Sequence, residues 1–416
     1  MPSDPSATGP RATDLGATGP RATDLGAAGH PASAEPAGAL QPGPVALGTW
    51  SGGRFMHFGE PLDDERFISL ITPDEALRTV ITADVYGAGE ADRMLGRALA
   101  GKPRDEVCVV GAVGHDFYEG ERDGPRGFPR FTDPRLRDAS GYAEYLRMAT
   151  ERSLERCGID HFDLLLLHNP DRIGYTSETV WDGMAALRDT GLARMIGVAP
   201  GPANGFTVDV IDCLERFDDR IDWAMVILNP LEPWPGELCL GAAAANDVKV
   251  ITRVVDYGGL FFDDLVPGQD LAKGDHRGFR PAGWIESGRE RLDAMRPIAQ
   301  RAGLSLIQLA CQWNLAHDAV ECVVPTLIQE AGLSARPVEE KRAELAALPL
   351  ELRLSAADVD ALRSIGDNTG CMALKGASPQ HDGDERPDRW PLDARLETVA
   401  RRWRIEPERD LVKVGS

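Results

Sequence analysis

Eight short apolar segments, each followed by a stretch with helical spacing, constrain this chain more than any other feature. They fall at residues 45–50, 79–85, 106–113, 162–168, 194–199, 223–229, 249–255 and 321–325. Between them, apolar residues recur at intervals of three and four over 90–100, 140–157, 177–190, 206–216, 235–246, 289–302 and 305–316. Strands that alternate with helices imply parallel pairing, because each crossover returns the chain to the same end of the sheet. Eight such units predict an α/β fold, a (β/α)8 TIM barrel. The rival, a doubly wound open sheet, calls for a GxGxxG turn after an early strand, and none is present.

Two connections are unusually long. Residues 116–138 follow the third strand and 256–285 follow the seventh, both rich in Gly, Pro and Arg. Loops of that length at one end of a barrel are expected to wall a site. Beyond the eighth strand, residues 338–348 and 355–365 read as helices, with Ser355 a good N-cap for the second. A polar tail follows. Its Leu392, Leu396, Val399 and Trp403 have near-helical spacing, so residues 393–404 are expected to dock a last helix on the barrel. At the other end, the ten residues from Ala7 to Gly16 recur from Ala17 to Gly26. A Gly/Pro repeat of this kind cannot bury a core and predicts a disordered leader. The expected organisation is a leader over 1–43, the barrel over 44–365, and a C-terminal helical extension over 366–416.

Composition narrows the partners. A net charge of −21 opposes binding to nucleic acid or to an anionic membrane. No apolar run approaches the length needed to cross a bilayer. The seven cysteines show neither CxxC nor a metal-ligand spacing, which fits a cytoplasmic protein without a metal site. A small molecule is the expected partner, and the oligomeric state is left open.

The chemistry should sit where strands end. Ile81-Thr82-Ala83-Asp84-Val85-Tyr86-Gly87-Ala88-Gly89-Glu90 runs from a strand through a glycine turn into a helix, placing Tyr86 just past a strand's carboxyl end. His168 closes the run Phe162-Asp163-Leu164-Leu165-Leu166-Leu167-His168, with Asn169 and Pro170 next. His115 and Asp116 begin the loop after the third strand, where they either extend an acid/base set or merely start a solvated loop. Arg253 lies on the seventh strand, suited to an anion or to an ion pair within the barrel.

These motifs, with Ile196-Gly197-Val198 and Val323-Val324-Pro325, resemble the aldo-keto reductase family. The resemblance implies that Tyr86 donates a proton, that His168 polarises a substrate carbonyl, and that NADP or NAD supplies the hydride. It also implies two replacements. The family's catalytic Asp falls on Ile81, and its Lys falls on Ala112. The chain has only six lysines, so few could substitute. Removing both charges together is tolerable for folding, whereas removing one would strand the other. Of the family's nicotinamide ligands, Asn169 is kept and Asn229 is an approximate match. The Ser-Asn pair after the fifth strand reads Ala199-Pro200. No basic residue immediately follows the eighth strand to hold a 2′-phosphate, although Arg336, Lys341 and Arg342 come soon after. Arg253 is a further candidate for a pyrophosphate or an anionic substrate, and the Arg-rich loop over 122–137 points the same way.

Three functions follow from these residues. One is an oxidoreductase that interconverts a carbonyl and a hydroxyl on a small polar substrate with a nicotinamide cofactor. Another is a cofactor-independent lyase or isomerase on the same barrel, with Tyr86, His168 and His115 as acid and base. The third is a barrel without catalysis, against which the presence of both Tyr86 and His168 counts.

Overall fold

The computed structural model describes residues 40–124, 127–201, 207–269, 271, 274–280, 282–368, 392–406 and 410. Residues 1–39 of the expected leader and residues 369–391 of the tail lie outside the described residues.

Eight strands form one parallel sheet in sequential order: β1 (Ala46–Gly48), β2 (Thr79–Ile81), β3 (Cys108–Val113), β4 (Phe162–His168), β5 (Ala193–Ala199), β6 (Trp223–Ile227), β7 (Lys249–Arg253) and β8 (Val320–Val324). A parallel bridge between Val45 and Val323 joins the last strand to the first, and Val323 N donates to Pro44 O at 2.9 Å. The chain is therefore a (β/α)8 TIM barrel. Several strands are shorter than their apolar runs suggest. β2 extends only to Ile81, although Thr82 N and Asp84 N still donate to Val110 O and Ala112 O of β3 at 2.9 and 3.1 Å.

Twelve α-helices are described. They are α1 (Asp64–Ile71), α2 (Glu90–Leu99), α3 (Tyr142–Cys157), α4 (Arg172–Thr176), α5 (Glu178–Asp189), α6 (Thr207–Arg216), α7 (Leu240–Ala245), α8 (Trp284–Ala302), α9 (Leu306–Leu315), α10 (Val338–Ala346), α11 (Ala356–Ile365) and α12 (Ala394–Arg402). Helix α1 is absent from the sequence reading. It has eight residues, capped by the Asp63 side chain, which accepts from Arg66 N, and it buries Phe67, Leu70 and Ile71 against the barrel. Helix α12 lies against α6. Arg395 pairs with Asp212 at 2.7 Å, and Trp403 Nε1 donates to Glu215 at 2.8 Å.

Strand alternation creates two cores. Outward residues such as Val109, Leu165, Ile196 and Val250 join the helices in the larger one. Inward residues fill the barrel: Ile81 and Ala83, Cys108, Val110 and Ala112, Leu164 and Leu166, Met195 and Ala199, Trp223 and Met225, Ile251, Cys322 and Val324. Large side chains buried in this way each contribute about 2 kcal/mol. The interior is apolar up to its carboxyl end. Polar side chains begin only at the rim.

Both long loops are fastened. After β3, His115 and Arg130 form an antiparallel bridge, and Phe131 N donates to Gly114 O at 3.0 Å. After β7, Arg277 is buried between Asp275 (2.8 Å) and Glu330 (2.5 Å), which ties this loop to the segment after β8. Asp275 also accepts from Gly59 N at 2.8 Å.

Candidate active site

Tyr86, His168 and Arg253 meet at the rim. Tyr86 follows β2 and enters a turn in which Gly87 has φ +59°. A Cβ at Gly87 would lie 2.7 Å from the Phe55 ring, so both the left-handed backbone and the close approach demand glycine. The Tyr86 ring is half-buried, edge-on to His168 at 5.8 Å and to Trp50 at 6.3 Å between centroids. Burial pushes the phenol up to about 12, opposed by the positive charge of Arg253.

His168 ends β4 and faces inward, in line with Leu164 and Leu166. Its Nδ1 is buried without a hydrogen-bond partner, leaving Nε2 as the ring nitrogen open to a ligand. Burial, reinforced by Arg253 and Arg130, holds the imidazole down at about 3. The ring is neutral at ordinary pH and can donate an N–H to an oxygen without carrying charge.

His115 is 5.1 Å from His168 between ring centroids. It is buried, not solvated. Burial, Arg130 and His168 all keep it neutral. Its Nδ1 lies 3.2 Å from Phe128 O and its Nε2 lies 3.2 Å from the Asn169 amide nitrogen. Arg130 Nη1 also lies 3.2 Å from Nδ1, so that nitrogen faces both a backbone carbonyl and a guanidinium N–H. The neighbouring Asp116 turns away to Arg137, at 2.5 Å.

Asn169 has φ +47°, a conformation Asn tolerates better than most residues, and this turns the chain out of β4. Its N–H donates to Ala199 O at 2.7 Å, and its carbonyl accepts from Arg130 Nε. Asn229 is fully buried. Its amide donates to Val254 O at 3.1 Å and accepts from Leu231 N at 2.9 Å, so both ends are engaged by backbone.

Ile81 and Ala112 lie beneath Tyr86 in the barrel interior, 1% and 7% exposed. The nearest carboxyl in the chain, Asp84, points the other way, among Asp92, Arg156 and Asp116 on the helix side. Neither of its oxygens has a hydrogen-bond partner among the described residues, and burial drives its pKa well up.

Arg253, the last residue of β7, is half-buried and faces inward in line with Ile251. Its Nη2 donates to Pro200 O at 2.8 Å. No carboxylate pairs with it among the described residues.

The loop after β7 holds a second buried arginine. Arg280 stacks on Tyr257 and Trp284, with its guanidinium carbon 4.2 and 4.8 Å from their ring centroids. It is 9% exposed, and its Nη1 is buried without a partner. Gly258 lies under it at φ +68°, where a Cβ would be 3.4 Å from the guanidinium. A stacked cation with an unsatisfied donor fits a dinucleotide phosphate, while the adjoining Gly259 N–H already donates to Asp256 at 2.8 Å. The Gly258-Gly259 pair just past a strand is the sequence signal for it. By contrast, the three basic residues after β8 are committed. Lys341 is fully buried against Asp264 (2.7 Å), Arg336 pairs with Glu344 (2.7 Å), and Arg342 pairs with Asp74 (2.8 Å). Among the described residues no cluster of three or more His, Cys, Asp or Glu could hold a metal ion, and no helix is long and apolar enough to cross a membrane.

Comparison with known proteins places the chain. A 6-dehydroglucose reductase of Agrobacterium fabrum is 25% identical over 264 residues, 61% of this chain and 73% of that protein. A D-threo-aldose 1-dehydrogenase of a Pseudomonas species is 29% identical over 242 residues, 55% of this chain and 71% of its own length. The aldo/keto reductase of Klebsiella pneumoniae, solved in complex with NADP and acetate, shares the fold at a TM-score of 0.53. It is 19% identical, over 80% of this chain and 94% of that one. The pattern that defines the Aldo/keto reductase family matches residues 44–366. With that match over most of its length, the chain belongs to the aldo/keto reductase family.

Proposed function

We propose that this oxidoreductase reduces the carbonyl of a small polar substrate to a hydroxyl, using a nicotinamide dinucleotide, with Tyr86 and His168 on the substrate oxygen. The observation that carries the reading is the edge-on pair of Tyr86 and His168, 5.8 Å apart, projecting from two strand ends over an apolar interior. Such a pair converges on one oxygen from two sides. His168 donates its Nε2–H as a neutral ring, and Tyr86 donates its phenolic proton as the oxygen gains charge.

The bound dinucleotide supplies the hydride. Arg280 would hold a phosphate, and Asn169 would meet the nicotinamide amide. The rest of the amide site is thin: Ala199 has no hydroxyl, Pro200 no N–H, and Asn229 is engaged. With Arg336, Lys341 and Arg342 each tied to a carboxylate, a 2′-phosphate gains little there, so NADPH and NADH should bind with similar affinity.

At about 12 the Tyr86 phenol is protonated at neutral pH. It is therefore in the state that can give a proton to a forming alkoxide. Titrating the tryptophan fluorescence with NADPH and NADH tests the reading, and Tyr86→Phe should keep binding while losing most turnover. A second reading, cofactor-independent proton transfer between His168 and His115, draws support from the thin amide site. It would be favoured if a carbonyl substrate were converted with no nicotinamide bound.

A further inference from the structure

At the mouth of this barrel Arg253 carries a positive charge with no paired carboxylate among the described residues. Arg253 reaches from the end of β7 across to the end of β5, where its Nη2 donates to Pro200 O at 2.8 Å. Pro200 follows Ala199, and Ala199 is the register partner of His168. The guanidinium therefore sits beside the ring that would meet the substrate oxygen, and its charge acts on both Tyr86 and His168. The other ionisable groups facing this space leave the charge unbalanced. His115 and His168 are neutral, Tyr86 is protonated, and Arg130 is engaged with His115 and Asn169. Asp116 pairs with Arg137 instead, and Asp171 accepts from Thr132 and the Gly174 amide rather than from Arg253. No carboxylate is paired with Arg253 among the described residues.

This contrasts with the rest of the molecule. In a chain of net charge −21, most partly buried arginines, such as Arg104, Arg137, Arg156 and Arg277, sit on acids. A guanidinium drawn out of water without an anion is unfavourable, and an arriving anion relieves that cost. The Pro200 carbonyl occupies one N–H and aims the fork, leaving other donors on the guanidinium for a planar bidentate partner.

We propose that Arg253 anchors a carboxylate of the substrate, so that the substrate class is oxo acids, whose carboxylate lies close to the carbonyl that Tyr86 and His168 hold. The carbonyl's fate rests on the reductase reading, whereas carboxylate capture by Arg253 does not. The proline and alanine at 199–200 have no side-chain donors, and the arginine fork takes their place with a preference for charge.

The test uses the full-length protein and matched probes: pyruvate against methyl pyruvate, and 4-carboxybenzaldehyde against methyl 4-formylbenzoate. Binding is measured calorimetrically without nicotinamide, and turnover is followed separately with NADPH. The wild type should favour at least one acid over its ester by about 10- to 100-fold in affinity. Arg253→Met should level the two by weakening the acid alone, and Arg253→Lys should keep part of the preference. Circular dichroism checks that both variants fold. Should the Met variant not fold, the contrast between wild type and Arg253→Lys still reads the loss of the bidentate fork. Equal affinity for acid and ester, no binding of any probe, or a preference that survives Arg253→Met would each overturn the proposal. An acid preference without NADPH turnover would leave the anchor standing and refute the reductase reading. Turnover without an acid preference would do the reverse.

Discussion

Putting charge back beneath Tyr86 probes the site most searchingly. Ile81 is the register partner of Val110 across β2 and β3, and Ala112 is the next inward residue along β3. Two residues along a strand and one strand across separate their Cα atoms by roughly 8 Å. A lysine arm at 112 can span that gap to an aspartate at 81. Ile81→Asp alone places a carboxylate in an interior where Ile81 is 1% exposed. Ala112→Lys alone places an ammonium where Ala112 is 7% exposed. An uncompensated buried charge costs about 3–5 kcal/mol. Unfolding entropy of about 2.1 cal/mol/K per residue over a barrel of this length makes that roughly 4–7 °C in Tm. In the double variant the charges pair, so its loss should fall short of the sum by about 2–3 kcal/mol. A carboxyl buried at 81 alone has its pKa raised above the unfolded value. The folded state then holds a proton that the unfolded state has released, and stability falls as pH rises. The Ile81→Asp penalty should therefore be smaller at pH 5 than at pH 8. Thermal and urea melts of the four proteins measure this cycle, and ultraviolet difference titration should show the Tyr86 phenol moving below its value of about 12 in the double variant. Additive losses, or an Ile81→Asp cost under about 1 kcal/mol, would refute the claim that these two positions face one another in an apolar site base.

Two other perturbations follow from the same structure. Arg277→Met leaves the buried Asp275 and Glu330 carboxylates without their shared cation; a loss of about 3–5 kcal/mol is expected, with faster proteolysis in the loop after β7. A melt within about 1 kcal/mol of wild type would contradict it. With His168 held at about 3 and Tyr86 at about 12, neither titrates between pH 5 and 9, so kcat for reduction should be flat there. The unfolded chain binds a proton at His168 more tightly, near 6.5, so this residue makes stability rise with pH between about 3 and 6.5 and stay level above. His168→Gln should soften the acid unfolding, and a wild-type kcat inflection near pH 6.5 would count against a neutral His168.

Much of the fold was legible because period and length carry it. The run from Phe162 to His168 is a strand with the bounds its sequence shows, and Ser355 caps α11 with Asp358 in a capping box. Helix α1 escaped because eight residues give barely two turns of periodicity, although Asp63 and the acidic Asp64-Glu65 marked its start. The meeting of Tyr86 and His168 was readable from strand ends alone. What sequence could not show was pairing between distant residues. Lys341, Arg336 and Arg342 resemble phosphate anchors until Asp264, Glu344 and Asp74 fold onto them. Arg280 is the converse case. Within the loop after β7 it stands out from its neighbours only once Tyr257 and Trp284 stack on it and no carboxylate pairs with it among the described residues. The amide of Asn229 likewise looks available until the backbone of β6 and β7 closes around it.

The central claim is that this barrel binds a nicotinamide dinucleotide and reduces a carbonyl beside Tyr86 and His168. Its most direct test is equilibrium titration with NADPH and NADH, followed through tryptophan fluorescence in the wild type, Arg280→Met and Tyr86→Phe. The account predicts micromolar binding of both nucleotides to wild type and to Tyr86→Phe, and about 10- to 100-fold weaker binding to Arg280→Met through loss of a charge-assisted phosphate contact. No quenching by either nucleotide up to millimolar concentration would contradict it.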